Sequence, residues 1–189
     1  LLERKVDGII WSPVTLDNGQ NIVAMIRKQR CPLVFLDRLL EDVAADAVVV
    51  NDRESMHLIV THLLQQGCRH LGYLNPRIPS YVSRERLAGY RQALIDFGLA
   101  VNEEMIYHVG SDVASGRSGV CAMLERGDRP DAIVCFNDPL AIGVELELLN
   151  RHIAIPDEIA VTGFSGVIET ELAAVPITTV LQHPVELGQ

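Results

Sequence analysis

Three apolar runs in the last third of the chain lie within PDAIVCFND (130 to 138), IPDEIAVTGFSG (155 to 166) and VPITTVLQHP (175 to 184), and each ends in polar or glycine residues. An apolar run without polar alternation suits a strand buried on both faces, and such strands belong to parallel sheets covered by helices. Ligands of open α/β sheets bind in the crevice outside the carboxyl ends of the strands. Asn137, Asp138 and Ser165 fall at those ends.

The rest of the chain repeats the same grammar. VDGIIW (6 to 11) is a strand closed by Ser12 and Pro13, and residues 17 to 30 have helical spacing at Ile22, Met25 and Ile26. PLVFLDR (32 to 38) and ADAVVVND (45 to 52) are further strands. A helix follows from about Arg53 to Gln66, with Ile59, Leu63 and Leu64 on one face and Gly67 at its stop. RHLGYLN (69 to 75) reads as a strand, and 83 to 98 as a helix with Ser83 as N-cap and Gly98 as terminator. MIYHV (105 to 109), SGVCAMLERG (118 to 127), DAIVCF (131 to 136), PLAIGVELELLN (139 to 150) and IAVTGF (159 to 164) continue the alternation. Strand and helix in turn mean crossover units and a parallel sheet with helices on both faces.

Composition bounds the function. With 189 residues, 48% hydrophobic and 22% charged, the chain has enough apolar material for a core. A net charge of -9 argues against nucleic-acid binding by these residues alone, because phosphate contacts need clustered Lys and Arg. No apolar run approaches the roughly 20 residues of a membrane helix, and no charged-then-apolar leader opens the chain. Cys31, Cys68, Cys121 and Cys135 are widely spaced without a CxxC pair, which fits a reduced, cytoplasmic interior.

No GxGxxG follows a strand and no GxxxxGK[ST] occurs, so a nucleotide-binding loop is not indicated. GSDVASGRSG (110 to 119) reads as a polar loop opening a helix. GFSGV (163 to 167) lacks the last glycine of a nucleophile elbow, and no Asp lies between Ser165 and His183. His57 and His62 turn to different helix faces, and the other histidines are isolated, so no metal site, cofactor or catalytic group is called.

Several residues remain as candidate ligand contacts. Asp138 before Pro139 reads as the start of a helix, its carboxylate capping free N–H groups. Asn137 offers two donors and an acceptor to the crevice. Arg86 falls in the first turn of the 83 to 98 helix, either as a forked donor to a hydroxyl pair or carboxylate, or as a solvated or ion-paired residue. Asp37 ends a strand with an acceptor, and Trp11 is placed either on an apolar sugar face or in the core.

Taken in order, VDGII (6 to 10), CPLVFLDR (31 to 38), HLLQQGCRHLGYL (62 to 74), RERLAGYRQAL (84 to 94), PDAIVCFNDPLAIG (130 to 143), IPDEIAVTGFSG (155 to 166) and ITTVLQHPVELG (177 to 188) resemble the effector-binding region of the lactose-repressor and galactose-repressor family of bacterial transcription regulators. That resemblance implies a type I periplasmic-binding-protein-like α/β fold. Its two Rossmann-like subdomains would be joined by a hinge, with residues 1 to 51 an incomplete N-terminal subdomain, 52 to 180 the C-terminal one and 181 to 189 a truncated return.

The resemblance also implies a function. A small carbohydrate-like effector (sugar, sugar acid or sugar phosphate) would bias the subdomain arrangement and so control operator DNA binding by a helix-turn-helix head missing from these residues, in a homodimer. Asp37, Arg86, Asn137, Asp138 and Gln182 would be pocket residues, with Trp11 and Ser12 on the first wall. Ser165 stands where the family carries an aspartate, and Ser111 where some members carry an aromatic ring. A periplasmic sugar-binding protein of a transport system is the alternative, and a hydrolase using Ser165 a third reading.

Overall fold

The computed structural model describes residues 6 to 13, 19 to 40 and 42 to 188, and the helix start expected at Asp17 and Asn18 lies outside them. The chain divides into two compact units. The first takes the residues up to Asn51 with Ser80–Val82 and the segment from His183, and the second takes Asp52–Pro79 with Ser83–Gln182.

In the first unit β1 (Ile9–Trp11), β2 (Leu33–Leu36) and β3 (Asp46–Val48) form a parallel sheet in that order. Helix α1 (Gly19–Lys28) buries Val23 and Ile26. Val23, Phe35 and Leu40 make the small core, and Trp11 packs against it with its ring centroid 5.8 Å from that of Phe35. Core packing therefore occupies the only tryptophan, the second of the two readings its sequence position allowed.

The second unit is built on five parallel strands in the order β5-β4-β6-β7-β8: β4 (Leu71–Pro76), β5 (Ile106–Val109), β6 (Ala132–Cys135), β7 (Ala160–Ser165) and β8 (Thr178–Leu181). Successive residues of a strand face opposite sides of the sheet, and both sides here are apolar. Tyr73, Val134 and Phe164 join α2 (Asp52–Gln65) and α3 (Tyr81–Asp96) in one core that includes Met56, Val60, Tyr90 and Leu94. Leu74, Ile133 and Cys135 face α4 (Val113–Glu125) and α5 (Asp138–Asn150) through Val120, Met123, Leu140 and Val144. Burial on both faces is why the central strand β6 is apolar at every position.

Two helix starts differ from expectation. Helix α3 begins at Tyr81, so Ser83 is inside it and 1% exposed rather than an N-cap. Helix α4 begins at Val113, capped by Asp112, whose Oδ1 accepts the Ser115 N–H at 2.7 Å. The glycine-rich stretch is thus mostly helix, and its glycines serve packing. A Cβ on Gly116 would collide with the Leu140 carbonyl oxygen, and one on Gly143 with that of Val113. The two helices cross with their backbones in contact at these points, which a larger residue would forbid. Helix α6 (Pro184–Leu187) closes the described chain.

Candidate functional site

From β4 the chain runs outward to β5, then returns past β4 to β6, β7 and β8. This reversal lies between β4 and β6, and ligands of open α/β sheets bind beyond the carboxyl ends at such a point. Asn75, Phe136, Asn137, Ser165 and Gln182 all stand at or just past carboxyl ends of these strands.

Arg86 is the most constrained of the predicted residues. It is the sixth residue of α3, one turn deeper than expected, because the helix starts earlier. It is 3% exposed, so it is neither solvated nor in the first turn. Its Nε donates to Asp52 Oδ1 at 2.7 Å and its Nη1 to the Phe136 carbonyl oxygen at 2.6 Å. The guanidinium carbon also lies 3.6 Å from the Phe164 ring centroid and 4.6 Å from that of Phe136. Ion pair, hydrogen bond and aromatic faces together compensate a charge withdrawn from water. Arg86 thereby ties the start of α2 to the ends of β6 and β7.

Asn137, not Asp138, caps α5, its Oδ1 accepting the Leu140 N–H at 3.0 Å. Its Nδ2 donates to the Ser111 carbonyl oxygen at 2.9 Å. One donor and one acceptor position are thereby used, and the amide retains its second N–H and second lone pair. Ser111 is exposed, and its backbone is anchored by Asn137.

Asp138 corrects the expected capping role. It is fully buried, its Oδ2 accepting the Val167 N–H at 2.9 Å and its Oδ1 the Thr179 hydroxyl at 2.6 Å. With Asn137 already accepting from α5, the carboxylate is turned toward the ends of β7 and β8 instead.

Ser165 ends β7 half-buried, at φ 124°. Its carbonyl oxygen accepts the Gln182 N–H at 3.3 Å. The Gln182 side chain is half-buried, and among the described residues its buried Nε2 has no hydrogen-bond partner. In the first unit Ser12 is exposed, and Asp37, at φ 64°, lies 3.7 Å from Arg38 Nε.

Sequence reasoning passed over Asn75, Asp52, Thr179 and the two phenylalanines under Arg86. Asn75 is 5% exposed, and its Oδ1 is buried without a partner among the described residues. An amide closing the apolar strand Leu71–Pro76 was the available signal. Burial raises the Tyr73 phenol and the Cys135 thiol well above their usual ranges, so neither offers an anion to the crevice. Among the described residues no group of three His, Cys, Asp or Glu side chains could hold a metal ion. Nor is any described helix long and apolar enough to cross a membrane.

Residues 60–189 match the family described as periplasmic binding protein-like domain. The regulator AscG of Escherichia coli is 33% identical over 167 residues, covering 88% of this chain and 49% of AscG. The HTH-type transcriptional repressor PurR of Vibrio campbellii is 28% identical over 190 residues, covering all of this chain and 56% of the repressor. A crystal structure of a sugar-binding transcriptional regulator of the LacI family from Escherichia coli, complexed with phosphate, superposes with a TM-score of 0.87 at 30% identity, covering 98% of this chain and 66% of that one. The chain spans about half the length of these curated relatives, and they are transcriptional regulators rather than enzymes. By the family match, the chain belongs to the periplasmic binding protein-like domain family, and it is similar to transcriptional regulators of the LacI family.

Proposed function

We propose that the chain is the effector-sensing part of a bacterial transcriptional repressor, and that it binds a small polyhydroxylated ligand at the carboxyl ends of β4, β6, β7 and β8. The carrying observation is the pairing of Ser165 with Gln182. Their strand ends are hydrogen-bonded at 3.3 Å, and the buried Gln182 Nε2 has no partner among the described residues. A buried unpaired donor costs about 1–3 kcal/mol unless a ligand or water meets it. Hydroxyl groups, which both donate and accept, suit this donor together with the spare amide capacity of Asn137 and the hydroxyl of Ser165.

Arg86 contributes by fixing Phe136 and Phe164 beneath the site. Ser111 is proposed as a further contact, anchored through Asn137. Ligand would act by its differential affinity for two arrangements of the protein, with no bond made or broken. The working assembly is a cytoplasmic homodimer without cofactor or enzymatic activity. Operator DNA is assigned to a helix-turn-helix such as names the relatives, since a net charge of -9 leaves these residues poorly suited to phosphate.

The test is calorimetric titration with D-ribose, D-galactose, D-glucose and D-glucuronate. Saturable binding of one of them, with loss in Gln182→Ala, is expected. No heat from any of the four would count against the reading. The regulator names of the relatives favour it over the transport alternative.

A further inference from the structure

Asp138 was expected among the ligand contacts, but its carboxylate is fully buried and both oxygens are engaged. Its partners converge on one piece of main chain. Oδ2 accepts from Val167 N at 2.9 Å, while Oδ1 accepts from Thr179 Oγ1 at 2.6 Å. Thr179 Oγ1 in turn accepts from Gly166 N at 3.3 Å. Both N–H groups that follow Ser165 are thus held, one directly and one through Thr179. Gly163 leaves the room for this, because a Cβ there would collide with Asp138 Oδ1.

The held residue is the strained one. Ser165 has φ 124°, a conformation that side-chain-bearing residues rarely adopt and that persists only where the surroundings over-determine it. Released from these bonds, the chain would relax toward negative φ and carry the Ser165 hydroxyl with it. On the proposed effector-binding reading, we infer that Thr179 and Asp138 are positioning residues, which hold the main chain of Ser165, Gly166 and Val167 so that the Ser165 hydroxyl faces the effector, without touching the effector themselves. The hydroxyl of Thr179 is the link, since it alone joins Asp138 to the Gly166 N–H.

The protein is titrated calorimetrically with D-ribose, D-galactose, D-glucose and D-glucuronate, and the tightest of the four is carried through Thr179→Val, Thr179→Ser, Ser165→Ala and the Thr179→Val/Ser165→Ala double variant. Loss of the relay weakens binding about tenfold in Thr179→Val. Thr179→Ser, which keeps the hydroxyl, restores it. In the Ser165→Ala background Thr179→Val has little further effect, because contributions that pass through one residue are not additive. Thr179→Ala replaces Thr179→Val in the cycle should the valine variant not fold by circular dichroism. Equal losses in both backgrounds, or no loss with Thr179→Val, overturn the positioning role alone. Absence of binding to all four sugars by the unsubstituted protein overturns the effector reading on which it rests.

Discussion

Arg86 and Asp52 form an ion pair 2.7 Å long, and their side chains are 4% and 0% exposed. A pair so far from water is asymmetric in its energetics. Making it gains little over an apolar pair of the same shape, whereas removing one partner leaves a buried charge uncompensated. Arg86→Ala should therefore lower unfolding free energy by about 3–5 kcal/mol. Urea denaturation followed by circular dichroism would measure this. A loss near zero would mean that Asp52 is solvated.

The glycines of α4 and α5 lead to a second expectation. Because a Cβ at Gly116 meets the backbone oxygen of Leu140, rather than the tip of a flexible side chain, the two helices must separate to accept it. Gly116→Ala should cost about 1–3 kcal/mol, as overpacked cores do. Exposed Ser118, two residues on in the same helix, should tolerate alanine within about 0.5 kcal/mol. Thermal melts of the two variants make the comparison.

Glu147 predicts a pH dependence. Hydrogen bonds from Arg151, then Cys121 and Arg117, hold its carboxyl at about 2. The ordinary glutamate value in an unfolded chain is about 4.3. A carboxylate depressed on folding contributes stability that is fully present above the unfolded value and is lost as pH falls toward the folded one. The Glu147 contribution should therefore fade between roughly pH 4.3 and pH 2. In Glu147→Gln the decline in denaturation midpoint across that window should be shallower. Parallel curves for both proteins would remove the assignment.

Much of this architecture was legible in the chain, and the reasons are local. Ala132–Cys135 is apolar at every position, and Ala160–Ser165 is buried from Val161 to Phe164 with Thr162 the one polar residue among them, because both sheet faces are covered, so their strands and parallel class could be read directly. Helix starts were not. Ser83 has the chemistry of an N-cap but sits inside α3, and GSDVASGRSG looks like a loop because the glycines that let α4 meet α5 are the residues that mark loops elsewhere. At the site, residue type located the strand ends but could not say which polar atoms were already spent. Asn137 and Asp138 are neighbours of similar capping propensity, and only tertiary contacts with Leu140, Val167 and Thr179 separate a cap from a brace.

Ser165 joins stability to recognition in one substitution. At φ 124° a serine carries a backbone cost of order 1–3 kcal/mol that glycine does not. Glycine also gains freedom in the unfolded chain, which offsets about 0.4–1 kcal/mol of that relief. Ser165→Gly should thus be as stable as the unsubstituted protein or up to about 2.6 kcal/mol more so, the difference of those terms. Removal of the hydroxyl should at the same time weaken binding of the sugar that the unsubstituted protein prefers by about tenfold, the usual worth of one hydrogen bond to a neutral group. Thermal denaturation without ligand and calorimetric titration with it read the two effects separately. A variant that loses stability would show that the surrounding bonds, including those of Asp138 and Thr179, relieve the strain at Ser165 in full. One that binds unchanged would show that the Ser165 hydroxyl faces away from the effector.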